Sequence, residues 1–226
     1  TCGECRDTFT VTVGTVMESS KIPLNKWLIA FYMMCASKTQ ISALQLQRQL
    51  EIGSYRSALF LCHRIRFALK DISPADQLSG EVEADETYIG GKARGRGRGY
   101  TGNKMCVVSL VQRGGDVRST VAERVNGKTI TTLLKRHVAS EAHLNTDESP
   151  LYTKAGKDFA SHATVNHSAE EYGYYDYRSG RQHLHLYTAE LDFKYNTRSS
   201  SDGERTAEGI RRMEGKRLMY KPKASN

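Results

Sequence analysis

One stretch near the middle of the chain, GEVEADETYIGGK at residues 80–92, constrains the fold more than any other. It places four carboxylates within six positions and continues with β-prone residues up to a Gly-Gly stop. Side chains alternate across a strand, so Asp85 shares one face with Glu81 and Glu83. Glu86 lies on the other face. The stretch is therefore either a solvated edge strand or one wall of a site for a doubly positive ion.

A second carboxylate, Asp147, follows Leu144 and Asn145 at the predicted end of a later strand. We expect Asp85 to be the innermost acid of its face, and a carboxylate directed toward a core needs a cation. Two aspartates on adjacent strands can hold Mg²⁺ or Mn²⁺ through hard oxygen ligands. Two such ions would clamp the attacking and leaving oxygens of an in-line phosphoryl displacement. The alternative is an ordinary pair of aspartates at strand ends.

The charge balance predicts a polyanionic partner. The 226 residues include 33 basic and 25 acidic ones, a formal net charge of +8, which favours nucleic acid over an anionic membrane surface. The longest apolar run, residues 27–36, is about half of what a spanning helix needs. It predicts a helix packed in a core and no membrane partner. Five thinly spread cysteines do not indicate a disulfide framework, so we expect a cytoplasmic protein.

Cys2 and Cys5 form a Cys-x-x-Cys pair at the very start of the sequence. They are either two free surface thiols or half of a zinc ribbon, in which a second pair completes the tetrahedral site. We therefore expect residues 1–20 to be a partial zinc ribbon, with zinc doubtful. Because the sequence starts at Thr1, it is interpreted as a fragment.

Residues 21–72 are predicted to form a helix-turn-helix domain. A first helix follows Pro23, Ser42 is placed to cap a second, and Ser54 is placed to cap a third after a short turn that contains glycine. Two helices joined by such a turn, after a supporting helix, are typical of this DNA-binding motif. The alternative is a plain three-helix bundle with a solvated basic face.

Two groups of side chains are candidates for DNA contact. In the third helix they are polar or basic residues beside the apolar stripe, suited to a groove and its phosphates: Tyr55, Arg56, Ser57, Arg64 and Arg66. In the glycine-rich segment after the acidic strand they are basic residues alternating with small ones: Lys92, Arg94, Arg96 and Arg98. The glycines of that segment do not open a helix, which disfavours a nucleotide-binding loop. The segment's alternative is a solvated loop without a partner.

Beyond the boundary predicted at residues 72–80, the pattern changes to short strands. Three antiparallel-type strands, a helix over 127–139 and a further short strand predict an α/β layer. We expect this domain to span residues 80–198 and to be followed by a basic C-terminal tail over 199–226.

Several motifs, in this order along the chain, resemble the ISXO2-like transposases of the IS1595 group: VTVGTVMESSKIPLNKWLIAFYMM, GEVEADETYIGGK, VNHSAEEY, HLHLYTAELDFKYNTR and EGKRLMY. The resemblance implies an α/β, ribonuclease-H-like fold with an acidic triad on Mg²⁺, and the excision and insertion of an insertion sequence. It makes Asp85 the first metal ligand and Asp147 the second. It also implies double-stranded DNA as partner, assembly on paired DNA ends and a place at the bacterial nucleoid.

The segment that carries the third acid in relatives has no match here. Glu170, Glu171, Asp176 and Glu190 lie nearby, but none inherits the role by motif. Two hypotheses therefore stay open. The chain is either a DDE-type transposase that nicks DNA and transfers strands, or a catalytically inert DNA-binding protein derived from one.

We predict that this chain does not retain zinc stoichiometrically. The thiolates of Cys2 and Cys5 fill half of a tetrahedral shell, and a structural site needs four ligands. Elemental analysis of the purified protein checks this, with one tightly held zinc per monomeric chain as the contradicting result.

Overall fold

The computed structural model describes residues 1–6, 9–71, 76–90, 104–164 and 181–218. The chain divides into two compact units, one of Thr1–Asp71 with Thr197–Asn226, the other of Ile72–Asn196. The helices are α1 (Leu24–Ala36), α2 (Ala43–Gln49), α3 (Tyr55–Leu69), α4 (Gly127–His137), α5 (Leu184–Asn196) and α6 (Asp202–Arg211). The strands are β1 (Glu81–Ile89), β2 (Met105–Gln112), β3 (Val117–Ala122), β4 (His143–Thr146) and β5 (Ser161–Thr164).

The first unit is helical, and its helices begin where the sequence predicts. Ser42 caps α2 by accepting a hydrogen bond from the Gln45 amide at 3.1 Å. Ser54 caps α3 in the same way through the Ser57 amide, also at 3.1 Å. Each cap satisfies an amide that the first helical turn leaves without a partner.

The long apolar run forms α1 and supplies much of this unit's core. Trp27, Phe31 and Met34 are buried along one face of the helix, and the Trp27 indole donates to the Ser20 hydroxyl at 2.9 Å. In the part of the chain that the structure describes, no helix is long and apolar enough to cross a membrane.

The C-terminal residues correct the prediction of a basic tail. Residues 202–211 form α6, which begins with a capping box between Ser201 and Glu204 and packs against α1. Arg205 donates to the Cys35 carbonyl in the last turn of α1 at 3.3 Å, and Lys216 donates to carbonyls at the end of α3. The Ser-x-x-Glu pattern that signals such a helix start is present in the sequence.

The second unit is built on a five-stranded sheet with the order β3-β2-β1-β4-β5. Strand β2 pairs antiparallel with both β1 and β3, whereas β4 is parallel to both β1 and β5. Three antiparallel strands continued by two parallel ones are the ribonuclease-H-like arrangement, so the predicted fold class is confirmed. Strand β5 was not expected from the sequence.

Each face of the sheet is covered by one helix. Helix α4 contributes Ile130 and Leu134 to a core with alternate residues of β1 and β2, including Val82 and Val108. On the opposite face, Leu184 of α5 packs against neighbouring residues of β2. Paired residues on neighbouring strands point to the same side of a sheet. Each side chain of β1 can therefore be assigned either to the layer under α4 or to the layer under α5.

Helix α5 is tied to β3 through a carboxylate. The Asp192 carboxylate accepts hydrogen bonds from the amide and the hydroxyl of Ser119, both at 2.7 Å. Asn196 accepts from the Val117 amide at 2.8 Å, one turn later in the helix. Burial raises the pKa of Asp192 from 3.8 to about 6, although the hydrogen bonds from Ser119 oppose the rise.

The raised pKa of Asp192 predicts a stability that depends on pH. The protonated acid is favoured by folding, so its contribution is fully present below about pH 4 and is lost as pH rises toward 7. Asn accepts and donates at the same two positions without charge, so Asp192→Asn should gain melting temperature relative to wild type between pH 4 and pH 7. Circular dichroism melts test this. The exposed Asp116→Asn serves as the control, and parallel profiles for Asp192→Asn and wild type would contradict the prediction.

Candidate metal centre

The acidic strand β1 divides into two halves with different roles. At its start, Glu81 and Glu83 both form ion pairs with Arg113, the latter at 2.8 Å. All three side chains are largely exposed, so these pairs contribute little stability. The first half of β1 therefore carries solvated charges, but β1 is a central strand and not the edge strand that the sequence left open. The second half carries the candidate site.

Asp85 and Asp147 lie at the point where β1 and β4 stop pairing. The last paired residues in the parallel register are Ala84 and Thr146, and each aspartate comes one residue later. Asp85 is exposed and Asp147 is half-buried. The fold thus brings the two predicted ligands to equivalent positions on neighbouring parallel strands. Their role as metal ligands stays a prediction.

Asp147 is held by contacts around the end of β4. Its carboxylate accepts the Ser149 amide at 3.0 Å, an Asx-type turn that fixes the side chain. The Thr146 hydroxyl donates to the Asp147 carbonyl at 2.8 Å and is 2.9 Å from His162 Nε2. Since that hydroxyl has one proton, His162 must donate to it. A side chain at position 156 would collide with the His162 ring, so Gly156 is required there.

The carboxylate that faces the core is Glu86, which corrects the expectation that Asp85 is the innermost acid. Glu86 follows Val82 and Ala84 on the side of β1 that α4 covers. Its Oε1 atom is buried and has no hydrogen-bond partner among the described residues. Burial raises the pKa of Glu86, the Tyr152 hydroxyl opposes this, and the charges of Asp147 and Asp85 add to the rise.

Tyr152 lies beneath the site, in the core cluster on the α4 side of the sheet. The residue is fully buried, and its hydroxyl also has no partner that meets hydrogen-bond geometry in the described part of the chain. Burial is the main cause that raises its pKa, followed by the interaction with Glu86 and then the charges of Asp147 and Asp85. The same negative cluster contributes to raising the pKa of the Cys106 thiol to about 12, mainly through burial.

The donor set fits one hydrated hard cation. Among the described residues, no three carboxylate, histidine or cysteine side chains lie close enough together to hold a metal ion by themselves. Mg²⁺, however, usually uses one or two carboxylates and keeps several waters. Asp85 and Asp147 supply those two carboxylates, and the buried, unpaired oxygen of Glu86 adds negative charge beside them.

The third acid of the expected triad is not identified in the described residues. Glu190 is fully buried in α5 and forms an ion pair with Lys194 at 2.8 Å, so it is already engaged. Glu170, Glu171 and Asp176 lie outside the residues that the structure describes.

The predicted DNA-contacting residues of α3 separate into two groups. Tyr55, Arg56 and Ser57 are exposed at the start of the helix. Arg64 and Arg66 are only 5% and 2% exposed, which corrects the expectation that they face a groove. The basic segment with Lys92, Arg94, Arg96 and Arg98 lies outside the described residues.

Arg64 is a core residue because its cation is enclosed by aromatic rings. Its guanidinium carbon lies 5.4 Å from the ring centroid of Trp27 and 5.3 Å from that of Phe60. It also donates to the Glu18 carbonyl, while Arg66 donates to the Ile41 carbonyl at 3.3 Å. Long arginine side chains can thus contribute packing and backbone hydrogen bonds from inside a helical unit.

Cys2 and Cys5 are exposed free thiols. Hydrogen bonds from the backbone at Cys5 and Glu4 lower the pKa of the Cys2 thiol. Such amide contacts favour a thiolate, the form that binds metal. No third candidate ligand joins the pair within the described residues.

Comparison with known proteins gives two matches in sequence. Residues 77–179 match the family model of the ISXO2-like transposase domain. A protein of the transposable element ISH50 of Halobacterium salinarum, described only as uncharacterized, is 30% identical over 188 residues. The match covers 76% of this chain and 62% of that protein, so the chain spans about three fifths of the length of the curated relative it matches.

Solved structures show weaker likeness. The catalytic core domain of BIV integrase is 15% identical and covers 58% of this chain and 81% of its own, with a TM-score of 0.28. The Mos1 strand transfer complex is 15% identical over 87% of this chain and 77% of its own, with a TM-score of 0.32. At such low TM-scores these likenesses carry nothing about the site.

The arginines of α3 lead to opposite predictions. Arg56→Ala should weaken binding to duplex DNA and reduce the salt slope by about one unit, because one phosphate contact is lost, while the melting temperature stays unchanged.

Arg64→Ala should instead destabilise the protein by about 2–4 kcal/mol through lost ring contacts and a lost charged hydrogen bond. Salt-dependent fluorescence anisotropy and thermal melts measure the two effects. Unchanged DNA affinity in Arg56→Ala would contradict the interface.

Proposed function

We propose that this chain is a transposase of the ISXO2-like, IS1595 group, and that it nicks DNA at the ends of an insertion sequence and transfers the strands to target DNA. The reaction is a metal-dependent, in-line phosphoryl displacement. The observation that supports this best is the placement of Asp85 and Asp147 at equivalent positions on neighbouring parallel strands.

The carboxylates explain why a cation is needed. Asp85, Asp147 and Glu86 would repel a DNA phosphate, so the strand can approach only when positive charge is bound between them. Asp85 and Asp147 are the residues that would hold Mg²⁺ or Mn²⁺. When bound, the ion neutralises charge that develops on the phosphoryl oxygens. The Asx turn at Ser149 holds the Asp147 carboxylate in one orientation.

The rest of the chain supplies affinity for the polyanion. A formal net charge of +8 attracts DNA over a long range. The exposed Tyr55, Arg56 and Ser57 at the start of α3 are the proposed contacts with the element ends. Assembly of two or more chains on paired ends is part of the same proposal.

A second candidate function is an inert DNA-binding protein. It is favoured by the lack of an available third acid among the described residues, where Glu190 is already paired with Lys194. In this case the first unit would bind DNA while the second unit holds a cation without turnover.

We predict that Mg²⁺ or Mn²⁺ raises the melting temperature of the protein. An ion at ten times its Kd stabilises the folded state by about 1.4 kcal/mol, which is a few degrees for a protein of this size. Asp85→Asn should abolish the response. Glu83→Gln, which removes a carboxylate of the same strand that is already paired with Arg113, should keep it. An equal response in Asp85→Asn and wild type would refute the metal centre.

Nicking of supercoiled plasmid DNA separates the two candidate functions. Mg²⁺-dependent nicking that disappears in both Asp85→Asn and Asp147→Asn supports the transposase. Ion-induced stabilisation and DNA binding without nicking support the inert protein instead. Nicking that persists in both variants would come from another site or a contaminant and would overturn the assignment of these aspartates.

A further inference from the structure

Two buried polar atoms at the metal centre have no partner, and the proposed ligands do not account for them. Glu86 Oε1 and the Tyr152 hydroxyl are both enclosed, and neither has a hydrogen-bond partner in the described part of the chain. Leaving such groups unpaired costs stability, whereas Gln and Phe of similar shape would fill the same volume more cheaply. A hydrogen bond between the two groups would satisfy the hydroxyl and one carboxylate oxygen, and the other oxygen of Glu86 would still be able to accept from a further ligand.

The fold directs both groups to the same place. Glu86 belongs to the β1 face that packs under α4, and Tyr152 lies in the core cluster of that face. The Tyr152 amide bonds to the Ser149 carbonyl at 3.2 Å, and the Ser149 amide bonds to the Asp147 carboxylate at 3.0 Å. Tyr152 is thus fixed by the same turn that orients Asp147. The charges of Asp85 and Asp147 act on both groups.

We propose that Glu86 and Tyr152 form a positioning pair for the divalent cation, in which Tyr152 donates a hydrogen bond to the Glu86 carboxylate and Glu86 contacts the water shell of the ion. This inference rests on the proposed metal centre of Asp85 and Asp147. It adds to that centre a third carboxylate and a phenol, neither of which is a direct ligand.

The geometry favours contact through water over direct coordination. No three metal-binding side chains of the described residues lie close enough together to share an ion. Successive residues of a strand point to opposite faces, so Asp85 and Glu86 cannot both turn toward one small ion without distorting β1. A hydrated Mg²⁺ reaches further, because it keeps several waters that donate hydrogen bonds to nearby carboxylates. Partners at this distance from a metal typically change its affinity 10–100-fold.

The test is a titration of the 226-residue chain with Mn²⁺, in which electron paramagnetic resonance measures the free ion. Tyr152→Phe removes only the hydroxyl. We expect its Kd for Mn²⁺ to increase about 10-fold, while the melting temperature without metal is unchanged or higher because an unpaired buried group is gone. Glu86→Gln should show the same two effects.

A double-mutant cycle tests whether the two residues act as one unit. If Tyr152 acts through Glu86, the double variant should bind Mn²⁺ no more weakly than Glu86→Gln alone. Glu83→Gln is the matched control, since it removes a carboxylate of the same strand that is paired with Arg113. Its Kd should stay within about twofold of wild type, the effect expected of an exposed charge that an arginine already neutralises.

Each outcome decides between the claims. Wild-type affinity in Tyr152→Phe and Glu86→Gln, combined with loss of binding in Asp85→Asn, overturns the positioning pair and keeps the metal centre. No Mn²⁺ binding by the wild type overturns both. Weaker binding accompanied by a lower melting temperature without metal would show that the two residues only support the fold, and it too would overturn the inference.

Discussion

The parallel pairing of β1 with β4 is the constraint on which the candidate site depends. Residues far apart in the sequence become neighbours because Ala84 pairs with Thr146, and the next residue on each strand is an aspartate. A shift of one residue in this register would turn one of the two carboxylates to the other face of the sheet. The buried Val82 and Leu144, which are also paired, fix the register through the core.

The carboxylates of β1 are neutralised by an arginine at the start of the strand but not at its end. Arg113 neutralises Glu81 and Glu83 at the exposed start of the strand. At Asp85 and Glu86 no cationic side chain takes this role in any ion pair of the described residues. Negative charge therefore remains where the β1–β4 pairing ends, and it contributes to the raised pKa of Glu86. A cation bound there would reduce this repulsion.

The first unit shows that charged residues in a predicted DNA-binding motif can have structural roles. Arg64 is enclosed by Trp27 and Phe60, and Arg66 bonds to a backbone carbonyl. Both side chains therefore stabilise the helical unit rather than offer charge to a phosphate. Of the predicted DNA contacts in α3, the exposed ones are Tyr55, Arg56 and Ser57.

The sequence by itself determined what local chemistry controls. The caps of α2 and α3 at Ser42 and Ser54 and the apolar stripe of α3 follow from spacing and side-chain type. The family and its acidic hallmark were also recognisable from motifs. The α/β fold class followed from the change to short strands after the helices.

Only the tertiary structure decided which side chains are enclosed. Spacing along a strand or helix gives two faces, but it does not say which elements cover them. Glu86 rather than Asp85 is buried because α4 and Tyr152 cover that face, and Tyr152 was not recognised from sequence because its partner is distant along the chain. Arg64 is buried because the aromatic rings of α1 and α3 meet around it. Long-range packing thus set the electrostatics of the site, and local sequence does not encode it.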